Sequence, residues 1–146
     1  MILPALLLPV LMAAAPPTVI KDPAAKTMLM GEHGFTVQWV QWGRDKGKAT
    51  VTEQDGVLRL KGEQRHGSSG NWATIDGIIT EAAGKHFRFK GRIEIRVDFL
   101  GGGKPCQREG EFTFRISGAR RFWRLKEMVN PCEDGNTVDY VDLHFR

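Results

Sequence analysis

The sequence predicts an all-β fold in which about eight antiparallel strands follow one another in an up-and-down meander. Three observations predict it. Apolar residues alternate with polar ones from Phe35 onward, turn-forming residues stand at nearly every junction, and no amphipathic helical pattern follows Phe35. A barrel is the economical closure of such a meander because closure removes exposed strand edges. A two-sheet sandwich is the alternative arrangement.

Length and composition favour one exported domain. The chain has 146 residues, of which 41% are hydrophobic and 26% charged, as in ordinary globular proteins. The 17 glycines suit many short strands joined by tight turns. The formal charge of +4 favours anionic partners but is far from polybasic, so we expect no nucleic-acid partner.

The first fifteen residues differ from the rest of the chain. Residues 1–15 carry no charged side chain and end in three alanines, a pattern that resembles a secretory signal peptide. The run is shorter than the roughly 20 residues that a transmembrane helix needs. Pro4 and Pro9 interrupt it and the first basic residue is Lys21, so a disordered start is the alternative. Residues 16–34 read as a linker with at most a short helical turn, and residues 35–146 as the barrel domain.

The longest predicted strand spans residues 87–99. One fully polar face indicates an antiparallel sheet with one side in water. Gly91 falls among the inward positions, where a missing side chain permits the sharp bend that barrels need. The apolar positions are Phe87, Phe89, Ile93, Ile95, Val97 and Phe99, and the polar positions are Arg88, Lys90, Arg92, Glu94, Arg96 and Asp98.

The other strands follow the same alternation. Asp55-Gly56 is a strong two-residue hairpin signal between two of them. The remaining segments are residues 35–42, 50–54, 57–61, 73–80, 111–117, 121–128 and 140–146.

The two cysteines lack the spacing of a metal site or a redox motif. Residues 111–117 and 121–128 read as a hairpin turning at residues 118–120. Folding it about Ala119 places Cys106 opposite Cys132, just beyond the strand ends, where an inter-strand disulfide can be accommodated. The pair therefore predicts a disulfide and an oxidising compartment. Two buried free thiols are the alternative.

Four stretches carry a resemblance: residues 101–106, 122–125, 130–132 and 139–142. Together they resemble small exported bacterial proteins of uncharacterised function. The resemblance covers the C-terminal third and implies an envelope protein with a lipocalin-like meander, without a known activity. The Gly-x-Trp that opens the first strand of true lipocalins is absent around Trp39 and Trp42.

The outer, basic side of the sheet is the first candidate site. If neighbouring strands lie side by side, their guanidinium groups form a patch suited to phosphate or carboxylate. A self-neutralised surface is the alternative, because Glu94, Asp98, Glu111 and Glu127 are interspersed and can pair across strands. The candidate cations are Arg88, Lys90, Arg92, Arg96, Arg115, Arg121 and Arg124.

A glycine-rich loop at residues 66–72 is the second candidate. His66, Asn71 and Trp72 supply hydrogen-bonding groups and an aromatic platform, as a lid at a barrel mouth requires. An ordinary flexible connection is the alternative. Ser68 and Ser69 do not stand in a nucleophile elbow, so we expect no hydrolase.

The C-terminal strand offers a weaker candidate. Asp142 and His144 project to the same face, which is compatible with a metal or an acid–base pair, but two ligands do not make a site. Exposed polar residues of a strand are the better explanation for them. We therefore expect no metal, cofactor or catalytic residue. The four tryptophans line a pocket or fill the interior; they are Trp39, Trp42, Trp72 and Trp123.

These features predict a periplasmic or secreted binding protein for an anionic or amphipathic envelope ligand, and no enzyme. The alternative is a disulfide-stapled interaction protein, such as an inhibitor of a secreted hydrolase, with a protein partner. An open barrel interior favours the first. A filled interior with a protruding aromatic loop favours the second. Neither requires a transmembrane span.

Overall fold

The computed structural model describes residues 14–41 and 46–146. Short turns join several of its strands and longer loops join the others. The elements, in chain order, are β1 (Val19–Ile20), α1 (Pro23–Leu29), β2 (Gly31–Val37), β3 (Gly47–Gln54), β4 (Val57–Arg65), β5 (Trp72–Ala82), β6 (His86–Arg96), a 3-10 turn (Gly101–Gly103), β7 (Cys106–Arg115), β8 (Phe122–Leu125) and β9 (Val141–His144).

The strands close into a barrel. From β2 to β9 each strand pairs antiparallel with the next, and β9 returns to pair with β2. The short β1 adds a parallel pairing to the end of β5. The prediction of an all-β, antiparallel, up-and-down barrel is therefore confirmed.

Large side chains occupy the barrel interior. Alternate residues of β6 and β7 point inward, and Phe87 stacks on Phe114 with ring centroids 4.9 Å apart. Trp123 packs edge-on against Phe87 from β8. Close packing of this kind stabilises the barrel through buried apolar area. The largest fully buried side chains are Phe35, Phe87, Phe89, Phe114, Leu29, Leu58, Leu60, Ile75, Ile79, Ile93, Leu125 and Leu143.

Two paired glycines let the sheet bend between β5 and β6. Gly91 lies opposite Gly77, and a Cβ on Gly91 would come within 2.6 Å of the Gly77 Cα. The same Cβ would meet the Phe89 ring at 2.8 Å. Because no side chain fits between the backbones, the strands approach closely and coil, as barrel closure requires.

Residues 16–34 are more ordered than the linker that the sequence predicts. They contain β1, α1 and the start of β2. Asp22 caps the helix by accepting the Ala24 amide, and Pro23 occupies the first helical position, where its missing N–H is not needed. Gly31 has a φ of 97° where the chain passes from helix to strand. The prolines and glycine that predict a linker here mark the ends of short elements.

The helix packs onto one end of the barrel. Leu29 is buried, and Lys26 pairs with Glu53 at 2.7 Å. The His33 ring joins helix and barrel, because its nitrogens lie 2.7 Å from the Leu29 carbonyl oxygen and 2.8 Å from that of His144. The long loops that follow β4, β6 and β8 lie at the opposite end, which we call the disulfide end.

The hairpin between β7 and β8 is shorter than predicted. β8 ends at Leu125 rather than Met128, and only two residue pairs join the strands. Phe114 pairs with Leu125, one position away from the register about Ala119. β7 itself begins at Cys106, so that cysteine lies within the strand.

Candidate anion-binding face

A basic pocket of about 200 Å³ lies beside the β7–β8 turn. Arg115 comes from the end of β7, Arg124 from β8, and Arg120 from the turn between them. None of the described residues that line it carries a carboxylate. The lining residues are Arg115, Ser117, Arg120, Arg124, Leu125, Lys126, Met128 and Tyr140.

A second pocket of about 350 Å³ adjoins the first and shares Arg115 and Lys126 with it. Lys85, Arg88 and Glu81 also line this pocket. We call the cations of both pockets the basic face; they are Lys85, Arg88, Arg115, Arg120, Arg124 and Lys126.

Glu81, the carboxylate of the second pocket, is already engaged. Its oxygens lie 2.9 Å from Lys21 Nζ and 2.9 Å from His86 Nε2. The hydrogen bond from Lys21, followed by that from His86, lowers the pKa of the Glu81 carboxyl. Glu81 therefore stays ionised and turned to these partners rather than to Arg115 or Lys126.

Arg124 is held rigidly by its neighbours. Its Nε and Nη2 donate to the two oxygens of Asp142 at 2.8 and 2.9 Å. Its guanidinium carbon lies 4.0 Å from the centroid of the Tyr140 ring and 5.0 Å from that of Phe122. The bond to Asp142 raises the pKa of the Arg124 guanidinium. Arg124 is thus a fixed and largely neutralised wall of the pocket.

The other cations supply the available charge. Within residues 14–41 and 46–146, no carboxylate comes within ion-pair distance of Lys85, Arg115, Arg120 or Lys126. All four are exposed. Arg120 lies over the Phe122 ring at 5.6 Å. Four cations around two adjoining depressions raise the local concentration of anions.

Only part of the predicted cation set meets here. Arg88, Arg115 and Arg124 line the two pockets. Arg92 lies on the same side of β6 but faces Glu109 across the ladder at 4.0 Å. Lys90 stands opposite Glu111 in the ladder, and Glu111 lies 3.9 Å from Nη2 of Arg88. The self-neutralised alternative therefore describes the surface at Arg92 and Arg88.

Arg96 and Arg121 lie elsewhere. Arg96 is at the disulfide end, where it donates to the Gly103 carbonyl at 3.0 Å and to Asn71 Oδ1 at 3.3 Å. Arg121 covers the Phe145 ring at 5.6 Å. Both were predicted to lie on the candidate face, because alternation assigns a side of the sheet but not a position along the barrel axis or in the turns.

The loop at residues 66–71 bonds mainly to itself. Ser69 Oγ lies 2.6 Å from His66 Nδ1, and Ser68 Oγ lies 3.2 Å from His66 Nε2. Asn71 is buried and accepts the Asp98 amide at 2.9 Å. Trp72 begins β5, with Arg65 over its ring at 5.9 Å. His66 and Trp72 therefore lie at the disulfide end and not with the basic face.

Asp142 and His144 share a face as predicted but serve different partners. Asp142 binds Arg124, whereas His144 Nε2 lies 2.8 Å from Thr36 Oγ1. Burial, followed by the charge of Lys46, lowers the pKa of His144. Among the described residues no three His, Cys, Asp or Glu side chains converge as metal ligands.

A buried polar cluster at the disulfide end was not predicted. Arg108 points inward from β7, and its Nη1 lies 3.7 Å from Oδ2 of the fully buried Asp139. Arg108 also donates to the Glu127 carbonyl. Asn130 donates to Asp139 at 3.3 Å. Burial raises the pKa of Asp139 and lowers that of Arg108. The sequence did indicate this burial, since Arg108 alternates in step with Cys106 and Phe112 and therefore lies on the same, inward side of β7.

The predicted disulfide between Cys106 and Cys132 is confirmed, with Cα atoms 5.9 Å apart. It ties the first residue of β7 to the loop between β8 and β9. Asn130 accepts the Cys132 amide at 2.8 Å. Disulfides are typical of oxidising compartments. No helix in the described part of the chain is long and apolar enough to cross a membrane.

The fold and site define a class: a small disulfide-bonded antiparallel barrel with a basic outer face. The chain belongs to the PM1083 family, whose model matches residues 17–145. It is 37% identical over 117 residues to the Uncharacterized protein PM1083 of Pasteurella multocida (strain Pm70), covering 80% of this chain and 73% of that protein. No solved structure matches. The likeness to uncharacterised bacterial proteins therefore covers nearly the whole barrel and not only its C-terminal third.

Proposed function

We propose that this chain is an exported protein that binds an anionic ligand of the cell envelope on its basic face. The proposal rests on the four cations around two adjoining pockets. Among the described lining residues the one carboxylate is Glu81, and it pairs with Lys21 and His86. The disulfide supports the exported part of the proposal.

The packing of the barrel favours an outer site over an inner one. Phenylalanine, leucine and isoleucine side chains fill the positions that would line an internal cavity, and Trp123 adds its ring from β8. We therefore propose that the up-and-down barrel serves as a rigid support for surface groups and not as a container. Among the four available cations, Arg115 lies on a strand, and side chains on strands are positioned more firmly than side chains on loops.

The lining chemistry suits a phosphate or carboxylate group. Guanidinium groups of Arg115 and Arg120 offer paired donors to planar anions. Ser117 and Tyr140 add hydroxyl groups, while Met128 supplies apolar surface for a non-polar part of the ligand. We propose binding rather than catalysis, because among the described residues that line these pockets no hydroxyl group is hydrogen-bonded to a histidine or a carboxylate that could activate it.

A second candidate is an interaction protein with a protein partner, such as a secreted hydrolase. Phe99 protrudes with 62% of its surface exposed from the loop between β6 and β7, next to the Trp39 ring at 5.9 Å. A filled barrel with an exposed aromatic loop is the arrangement that the alternative function requires. This surface is separate from the basic face.

The test removes three exposed charges: Arg115→Gln, Arg120→Gln and Lys126→Gln in one variant. We expect little change in stability, because exposed charges contribute little to it. We expect retention on phosphatidylglycerol-containing vesicles to fall about ten-fold or more, since one charge-assisted hydrogen bond is worth about 1.5 kcal/mol or more. The wild-type retention should itself decrease at high salt.

The matched control carries Arg59→Gln, Lys61→Gln and Lys104→Gln, which change the net charge equally outside both pockets. Control retention should stay close to wild type, and inorganic phosphate should compete if a free phosphate is the recognised group. Equal losses in both triple variants, or wild-type retention that ignores salt, would contradict a specific basic face.

A further inference from the structure

Strand β7 has an open edge. It pairs with β6 along its whole length, from Cys106 to Arg115. On its other side it pairs with β8 only at Phe114 and Arg115. The chain beyond β8 leaves this ladder, where Val129 pairs with Val138, and returns to the start of β7 through the Cys106–Cys132 disulfide.

Hydrogen bonds at Thr113 show which backbone groups face the open side. The Thr113 carbonyl accepts the Lys126 amide at 2.8 Å, and the Thr113 amide donates to the Glu127 carboxylate at 3.1 Å. A side chain thus satisfies a donor that a neighbouring strand would normally satisfy. Because backbone direction alternates along a strand, Gln107, Glu109 and Glu111 face the same way.

These backbone groups have no strand beside them. In the described part of the chain, no strand pairs with residues 107–111 on this side, and no loop backbone bonds to them. Gly110 leaves further room, because a Cβ there would meet no atom within 4 Å. Unpaired strand edges of this kind are templates for an added strand.

The charges beside the edge indicate the chemistry of that strand. Glu109 and Glu111 are exposed on the outer face, and each makes one long contact with an arginine of β6: Glu109 with Arg92 at 4.0 Å and Glu111 with Arg88 at 3.9 Å. A strand added on the open side would place its own side chains opposite the same two carboxylates. Cross-strand pairs of opposite charge are favourable, so cationic residues fit these positions. The intervening position faces Gly110 and accepts an apolar side chain.

The same charges disfavour a second copy of this chain as the occupant. Two β7 edges in antiparallel pairing would bring Glu109 and Glu111 of one copy close to those of the other. Like charges across a ladder are destabilising, and charged edges are a usual protection against self-association.

We propose that the open edge of β7 binds an extended segment of another polypeptide, in which cationic residues alternate with apolar ones. Affinity comes from backbone hydrogen bonds to Glu109 and Glu111, and specificity from their carboxylates. This surface differs from the basic face, and neither proposal depends on the other.

The test uses a fluorescent, end-capped peptide of alternating lysine and valine, measured by anisotropy. Its control is the same peptide with N-methyl groups on the amides that would face β7. We expect the unmodified peptide to bind and to slow amide hydrogen exchange at Glu109 and Glu111. Each lost backbone hydrogen bond should weaken binding about two- to ten-fold.

Two variants of the full-length protein complete the test. Glu111→Pro removes one donor of the open edge and leaves the β6 ladder intact, since the neighbouring Gly110 and Phe112 make those bonds. Glu111→Gln keeps the donor and removes the charge. Proline should weaken binding about two- to ten-fold at every salt concentration, whereas glutamine should lose only the salt-sensitive part.

Equal binding of the two peptides, or unchanged exchange at the edge amides, would overturn the proposal. If Glu111→Pro fails to fold, the N-methyl comparison on wild-type protein decides by itself. The basic-face triple variant should bind the peptide like wild type, so failure of one proposal is distinguishable from failure of the other.

Discussion

Replacement of Arg108 by methionine tests the buried cluster at the disulfide end. Methionine keeps much of the volume beside Phe112, over whose ring the guanidinium lies at 5.5 Å. It removes the positive charge that faces Asp139 at 3.7 Å. The Asp139 carboxylate, with no exposed surface, then keeps the hydrogen bonds from Asn130 and Trp39 but loses the charge that faced it.

Protonation of Asp139 sets an upper limit on the unfolding free energy that the variant can lose. Loss of one partner of a buried ion pair costs about 3–5 kcal/mol. Asp139 can escape an unpaired charge by taking a proton, which at neutral pH costs at most about 4 kcal/mol from the usual carboxyl pKa of 3.8. We therefore expect Arg108→Met to lower the free energy of unfolding by about 3 kcal/mol at neutral pH.

The loss of unfolding free energy in Arg108→Met should be smaller at acidic pH than at neutral pH. Burial holds the folded-state pKa of Asp139 above its usual value, and the variant should raise that pKa further. A carboxyl with a raised folded pKa stabilises the fold below its unfolded pKa, and this contribution is lost as pH rises through the folded pKa. The deficit of Arg108→Met should therefore shrink as the solution is acidified toward 3.8, the usual pKa of that carboxyl.

Urea unfolding followed by tryptophan fluorescence, to which the buried Trp123 contributes, measures the loss of unfolding free energy and its dependence on pH. The double variant Arg108→Met, Asp139→Asn is the control, since it removes the stranded charge and should recover most of the loss at neutral pH. A deficit below about 1 kcal/mol, a deficit independent of pH, or a double variant no more stable than Arg108→Met would refute the reasoning.

Two further predictions concern the disulfide and the N terminus. The double variant Cys106→Ala, Cys132→Ala should lose about 3 kcal/mol of unfolding free energy, because the bridge closes a loop with a sequence separation of 26. Urea midpoints compared with and without reductant check this, and a wild type insensitive to reductant would contradict it. If residues 1–15 are a signal peptide, mass spectrometry of periplasmic protein should find an N terminus near Ala15. Residues 1–13 lie outside the described residues. Recovery of the intact chain from the cytosol would refute the prediction of a signal peptide.

Much of the fold could be predicted from local patterns. Alternation assigns the buried side of β6, where Phe87, Phe89 and Ile93 are all buried. The Asp55-Gly56 turn joins β3 and β4 as predicted, with positive φ at both residues. These features depend on neighbours in the chain, so the sequence carries them directly.

The hairpin between β7 and β8 shows where local patterns are insufficient. Alternation predicts a strand to Met128, but pairing stops after Leu125. Beyond it, the Glu127 carbonyl binds Arg108 and its carboxylate binds the Thr113 amide. Contacts with distant residues override the local preference for an extended ladder.

The sequence by itself determined most of the strands, most of their buried faces and the disulfide partners, because alternation and turn residues act over short distances. Only the tertiary structure decided which charges meet. Arg115 and Arg124 are brought together by one ladder pair, whereas Arg96 is carried to the disulfide end. Arg108 finds Asp139 only across the closed barrel. Strand register and barrel closure set these distances, and both depend on how all the strands pack at once.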